Sequence, residues 1–347
     1  MSTSIRSSGP RPDRGVGLIE VMIGIVIAML LVLVIYQVYE ISEGQKRTIT
    51  AGSDAQQNAS YGLHVLSRDL AVAGNGIASA AVSLDGCALL RPIPVLIEAG
   101  ATANDPDTIT VLYGGSSSLS TPVQFKSTAT TAEPYLVPGP VGFSPKDVIA
   151  AVQGPTCTLS TINADGVAVD AVTGFATLTH TPVTGAMGVT YGAVNASLVN
   201  LGQPASMGRI AYTVDTTGHA LRTQKQLPNI DPVNPVVSDV VNLKAQYGLD
   251  TDNDGIVDTW QPATDGVWSA ADLPAQPLAT LQQIRAVRVA IVTRSPQYEK
   301  DAVTTGPLLM FDGAGVISMT LSADDQHYRY KVLETVVPLR NALWNAP

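Results

Sequence analysis

Two short stretches of this 347-residue chain combine residue types and spacings that could do chemistry. The first is Arg14-Gly15-Val16-Gly17-Leu18-Ile19-Glu20, which puts one carboxylate at the head of an apolar run. From Val16 to Tyr39, Glu20 is the only charged residue. A carboxylate at the centre of a membrane helix costs roughly 2.5–3.5 kcal/mol, and less towards an end. Glu20 therefore calls for a positive partner, and the amine of a new N-terminus cut after Gly15 would be one. The second stretch is Asp250-x-Asp252-x-Asp254-Gly255-x-x-Asp258. Oxygen donors at alternate positions of a tight loop suit Ca2+, a hard cation that takes several oxygens. Asp250, Asp252 and Asp254 would give side-chain oxygens, Ile256 its backbone carbonyl, and Asp258 a direct or water-bridged oxygen. Gly255 falls at the sharp turn, where a positive φ carries little penalty for glycine.

An EF-hand would carry Glu at the twelfth loop position, and this chain has Gln261 there. The loop therefore reads as a shorter aspartate loop of an extracellular module, with weak affinity. Its alternative is an acidic surface turn without an ion, although four carboxylates so close repel one another unless something neutralises them. The cysteines are two, Cys87 and Cys157. Outside the cytoplasm an isolated pair reads as one disulfide, with two separate buried thiols as the alternative. Enzyme chemistry finds no footing. His64, His180, His219 and His327 are scattered, and there is no nucleophile elbow or phosphate-binding glycine loop. Trp260, Trp268 and Trp344 read as core or interface packing residues, with a surface-binding set as the alternative.

The run Val16–Tyr39 holds 24 residues and no proline. As a helix at about 1.5 Å per residue it reaches roughly 36 Å, enough to cross a bilayer. It is longer than the 7–15 apolar residues, roughly, of a signal peptide and lacks a small-residue cleavage exit. Gly17 and Gly24 share one face and would permit close helix approach. Arg6, Arg11 and Arg14 before it, against Asp13, keep the leader cytoplasmic and send the rest outwards. The segments expected are a leader over 1–15, a transmembrane half-helix over 16–39, an amphipathic half-helix over 40–75, and a β-rich domain over 76–347 containing the loop 250–258. In the amphipathic half Leu63, Leu66, Leu70 and Ala73 form a stripe, with Arg68 and Asp69 off it. Gly74-Asn75-Gly76 ends the helix.

Beyond that point Thr, Val, Ala, Gly and Pro predominate, which favours β structure. Strands are predicted over 93–97, 107–113, 147–152, 156–162, 166–172, 196–201, 209–214, 285–292 and 328–337, with a short helix over 278–283. Turns are read at Asp85-Gly86, Gly114-Gly115, Asp165-Gly166 and Thr217-Gly218. Gly115–Gly142, rich in Ser, Thr and Pro, reads as an exposed insertion. By alternation Arg285 sits at an exposed strand end. The formal net charge is −9, and removing the leader's three Arg and one Asp leaves −11. Such a chain repels phosphate backbones, so nucleic acid is a poor partner.

The basic leader, Gly15, and Leu18-Ile19-Glu20-Val21-Met22 together resemble the prepilin family. That resemblance implies cleavage between Gly15 and Val16 by a prepilin peptidase, methylation of the new amine, and a role for Glu20 in assembly. Members more often begin the mature chain with Phe-Thr, and this one has Val16-Gly17. Leu66-Ser67-Arg68-Asp69-Leu70 with Ala73-Gly74, Tyr247-Gly248-Leu249-Asp250, Val287-Arg288-Val289 and Leu339-Arg340-Asn341 are similar to PilW-type minor pilins. The fold then implied is α+β, a long N-terminal helix packed on a large β-rich domain. The implied function is initiation of a type IV pilus from the inner membrane, with other minor and major pilins and a tip adhesin as partners. The rival readings are a minor pseudopilin of type II secretion, a calcium-dependent tip adhesin, and a DNA-uptake pilin that the acidic charge disfavours.

Overall fold

A computed structural model describes residues 15, 17–77, 84, 85, 87, 90–115, 121–264, 266–313 and 315–343. The leader before Gly15, Val16, Gly86 and Trp344 lie outside the described residues. The chain divides into two compact units, Met1–Ala51 and Gly52–Pro347.

From Leu18 onward the first unit is helical. Helix α1 (Leu18–Val72) begins where the Gly17 carbonyl accepts N–H bonds from both Glu20 (2.9 Å) and Val21 (3.2 Å). Every residue from Leu18 to Tyr39 is exposed, nearly all of them apolar. The mean hydropathy of its most apolar 18-residue window is 3.1, and it is the single helix among the described residues long and apolar enough to cross a membrane.

In the second unit the rest of α1 lies on β-sheet. Its packed face begins with small residues, Ala55, Ala59 and Gly62, and continues with Leu66, Leu70 and Ala73. The small residues let a strand come close. A Cβ on Gly62 would stand 3.2 Å from Ile291 Cδ1, and the Thr293 hydroxyl donates to the Ala55 carbonyl at 2.8 Å. Leu63, expected on the stripe, is only half-buried. Asp69, expected off it, is buried and accepts a hydrogen bond from the Tyr212 phenol at 2.6 Å. The reason is helical geometry: 69 is three past 66 and four before 73. The helix stops before Gly74 (φ +76°) and Gly76 (φ +65°), as the glycines predict.

Among the described residues all strand pairs are antiparallel, in three sheets and two small ribbons. The first sheet orders β1 (Val95–Glu98), β2 (Thr108–Tyr113), β11 (Gly208–Asp215), β12 (Ala220–Leu227) and β13 (Asn234–Ser238). The third orders β15 (Thr259–Pro262), β14 (Val240–Leu249), β16 (Ile284–Arg294) and β19 (Tyr330–Pro338). Both share one core with α1: Leu66 and Leu70 meet Val95, Ile109, Tyr212, Leu243, Val287 and Ile291. Helix α2 (Leu278–Leu281) leads into β16, and α3 (Arg340–Leu343) follows β19. Strand β16 is buried on both faces, because Ala290 and Val292 lie under the ribbon of β17 (Leu308–Met310) and β18 (Ile317–Met319).

The second sheet is inserted between β2 and β11, which pair with each other directly. It orders β3 (Val123–Gln124), β10 (Ser197–Gly202), β6 (Val148–Gln153), β7 (Thr156–Val169), β8 (Ala176–Gly185) and β5 (Tyr135–Val137). A ribbon of β4 (Ala129–Thr130) and β9 (Thr190–Tyr191) adjoins it. Strand β6 shows the two-residue period: Val148, Ala150 and Val152 face one cluster, Ile149 and Ala151 another. Two expectations fail here. Gly115–Gly142 is not a wholly exposed insertion, since Phe125, Ala129, Tyr135 and Val137 are buried, Phe125 against Tyr135 at 4.8 Å between ring centres. Asp165-Gly166 is not a turn between strands. The predicted strands 156–162 and 166–172 are one strand, whose register shifts between Ile162 and Val167. Gly166 is needed at that bulge because a Cβ there would sit 2.3 Å from the Thr179 carbonyl oxygen.

Candidate functional site

The residues singled out in the sequence fall at separate places. Glu20 is exposed in the first turn of α1, where the positive helix end favours a carboxylate. Its side chain has no hydrogen-bond or ion-pair partner among the described residues. Gly15 is described and exposed; Val16 is not described. Gly17 and Gly24 face open space.

The aspartate loop joins β14 to β15. Asp250, Asp252 and Asp254 each bring a carboxylate oxygen within 4.8 Å of the others. Oxygens on opposite sides of a Ca2+ with bonds of about 2.3–2.6 Å would lie up to about 5 Å apart, a span that includes this spacing. The loop is also tied by its own backbone. Asp250 Oδ1 accepts from Asp254 N (3.1 Å), Asp250 Oδ2 from Gly255 N (3.0 Å), Asp252 Oδ1 from Asp254 N (3.2 Å), and Asp254 Oδ1 from Ile256 N (2.7 Å). Asn253 (φ +63°) and Gly255 (φ +90°) make the bend. Asp258 is turned to Thr251 instead, accepting from its N–H and its hydroxyl, both at 2.7 Å. Those two bonds hold the Asp258 carboxyl below its usual value of 3.8. Ile256 is exposed, so its carbonyl belongs to an open loop.

What fixes the loop was not foreseen. Arg285, expected at an exposed strand end, is buried, and its Nε donates to Asp250 Oδ2 at 3.0 Å. The register of β14 on β16 shifts between Gly248 and Leu249, opposite Ile284–Ala286. That bulge breaks the alternation on which the expectation rested and aims Arg285 at the loop. Burial pushes the Asp250 carboxyl up, but the Gly255 N–H and the Arg285 guanidinium outweigh it and hold the group below 3.8. A cation bound here would share Asp250 with Arg285.

Two further buried polar clusters flank the same sheet. Lys244 on β14 donates to Asp107 at 2.8 Å and to the Thr102 carbonyl at 3.1 Å. Asp107 also accepts from Gly100 N and Ala245 N, both at 2.9 Å. Arg288 lies between Trp260 (4.9 Å) and Phe311 (4.6 Å) and donates to Gln246. Trp268 packs beside Tyr247 at 6.3 Å, in keeping with a packing role. Cys87 and Cys157 form a disulfide within the cluster of Leu84, Leu90, Val152 and Leu159. The histidines remain apart: His180 lies on Tyr135 and His327 on Tyr298.

Residues 10–36 match the prokaryotic N-terminal methylation motif, and residues 211–341 match the family described as Type IV Pilus-assembly protein W. The second match runs from β11 through the aspartate loop to α3 and leaves out the inserted sheet. Among solved structures, a type IV-like pilin from Thermus thermophilus is 11% identical, covering 83% of this chain and 96% of that one, with a TM-score of 0.38, too low to show a shared fold. No curated protein matches the chain. The chain thus joins the N-terminal methylation motif of prepilins to a C-terminal part that matches type IV pilus-assembly protein W.

Proposed function

We propose that this chain is a minor pilin of a type IV pilus. The prepilin peptidase cuts after Gly15, the Val16 amine is methylated, and α1 holds the protein in the inner membrane with its β-rich part outside the cytoplasm. It then enters the fibre with other minor and major pilins and helps to start it, at the tip and beside an adhesin. Its role is structural rather than catalytic. The observation that carries this reading is one coincidence. The methylation motif over 10–36 runs into the exposed apolar start of α1, in a chain that matches the pilus-assembly family over 211–341. Glu20 acts as a register device: a charge among apolar helices is tolerated only where an amine meets it. Intact mass of the protein from cells tests the processing step. A chain starting at Val16, carrying one methyl group, is expected; an uncut chain refutes it.

The same reading gives the aspartate loop a weakly bound Ca2+ on Asp250, Asp252 and Asp254, supported by the 4.8 Å spacing of their oxygens and the Gly255 bend. Terbium luminescence sensitised by Trp260, lost in Asp252→Ala, is the expected result. Equal luminescence in the variant would leave the loop a plain acidic turn.

A further inference from the structure

The first sheet has a face turned away from α1. Val95, Ile97, Ile109, Val111 and Tyr212 share a core with Leu66 and Leu70, so alternate residues stand on the opposite side. Register fixes which: Leu96 lies opposite Thr110, and Leu112 opposite Arg209. There Arg91, Leu96, Thr110, Leu112, Arg209 and Pro274 line a cleft of about 50 Å3. Liquid water occupies about 30 Å3 per molecule, so the cleft suits a head group of a few atoms.

Its charge is unbalanced. Arg209 is half-buried, yet its side chain makes no hydrogen bond or ion pair among the described residues. Burial acts on its guanidinium, and no carboxylate among the described residues stands near enough to offset it. Arg91 is held in place, donating Nη1 to the Asp85 carbonyl (3.1 Å) and Nη2 to the Gln276 carbonyl. Asp85 Oδ1 stands 3.4 Å from Arg91 Nη2 and offsets that charge, but Arg91 Nε is buried without an acceptor. A desolvated cation without a counter-charge is costly, and it stands out in a chain of net charge −9. A guanidinium fork matches a carboxylate in two-point geometry. Leu96, Leu112 and Pro274 offer apolar surface to the methylene stem that carries it.

We infer that this cleft receives the carboxylate side chain of a neighbouring polypeptide, with Arg209 as its partner. That the neighbour is another pilus subunit rests on the proposed assembly role. The test uses the full chain in detergent micelles. Saturation-transfer NMR would follow N-acetyl-glutamate methylamide, its glutamine twin and inorganic phosphate at matched ionic strength. Saturable binding of the glutamate probe in the millimolar range is expected, with none for the glutamine twin. Arg209→Gln should weaken it at least tenfold with an unchanged circular dichroism spectrum, and Arg209→Lys, which keeps the charge without the fork, should retain part. Equal signals from the two probes, or an unchanged affinity in Arg209→Gln, would overturn the inference. Phosphate binding more tightly than the glutamate probe would overturn the assignment to a carboxylate. No fibre is involved, so a negative result leaves the assembly reading standing, and normal piliation without this chain leaves a positive binding result standing.

Discussion

Replacing both cysteines, Cys87→Ala with Cys157→Ala, opens the cross-link between the segment before β1 and strand β7. The two residues are 70 apart in sequence and their Cα atoms 5.5 Å apart. In the chain-entropy account, ΔS is about −2.1 − 1.5R ln n, which for n near 70 is about −15 cal/mol/K, or about 4.4 kcal/mol at 25 °C. Both side chains are buried, Cys87 at 0% and Cys157 at 8% exposure. Alanine keeps the site apolar, so the cavity left by two sulfur atoms is a smaller addition. At about 2 °C per kcal/mol, the low end for large domains, the melting temperature should fall by about 9 °C. The assay is thermal unfolding of the full chain in micelles, for the oxidised wild type, the wild type with dithiothreitol, and the double variant. The reduced wild type and the double variant should coincide to within a few degrees. A fall of under about 3 °C in both would mean that the unfolded chain is not the state that the cross-link restrains.

Other buried contacts give further expectations. Lys244→Met leaves Asp107, at 4% side-chain exposure, without its cation; a loss of about 3–5 kcal/mol is expected in urea unfolding, much of it recovered by adding Asp107→Asn. Tyr212→Phe removes the phenol that donates to Asp69 at 2.6 Å and should cost about 1.5–3 kcal/mol, as for hydrogen bonds to charged groups. His180 is held below its usual 6.5 by burial, against a smaller opposing effect of its bond to the Glu133 carbonyl. Its neutral form is the one that folds, so stability is full above 6.5 and falls as pH drops from 6.5 towards the lower folded value. The urea midpoint should therefore be lower at pH 5.5 than at pH 7.5, and His180→Phe should reduce that difference; an equal difference in the variant would remove His180 as its cause.

How much was legible depended on how local the signal was. Helix α1 was, because its apolar run, its stripe and the Gly74 ending are all written within one segment. So were β2, β6 and β16, whose apolar runs are bounded by turn residues. Strands β8 and β12 were not. Ala176–Gly185 alternates Thr, His and Pro, and Ala220–Leu227 carries Arg, Thr, Gln and Lys, so both read as polar connections. They are strands because neighbours pair with them and each buries only part of one face. The Asp165-Gly166 pair has turn chemistry, but here that chemistry serves a bulge. Arg285 is re-aimed by a register shift against β14, which its own segment does not announce. Asp69 lies on the buried face by its spacing from Leu66 and Ala73, a local signal that its charge masks, and only its partner, a phenol 143 residues away, is non-local. The aspartate spacing announced the loop, yet Asp258 bonds to Thr251, seven residues away, rather than joining the other three.

The assembly claim stands or falls on Glu20. Surface piliation should be measured in a clean deletion strain, complemented with the wild-type chain or with Glu20→Ala, alongside an immunoblot for leader cleavage. Pili should be lost on deletion, restored by wild type, and not restored by a Glu20→Ala chain that is still cut after Gly15. Normal piliation with Glu20→Ala would contradict the register role. Normal pili in the deletion strain would contradict the central claim itself; failed protein secretion there would point to a pseudopilin, and failed attachment to an adhesin.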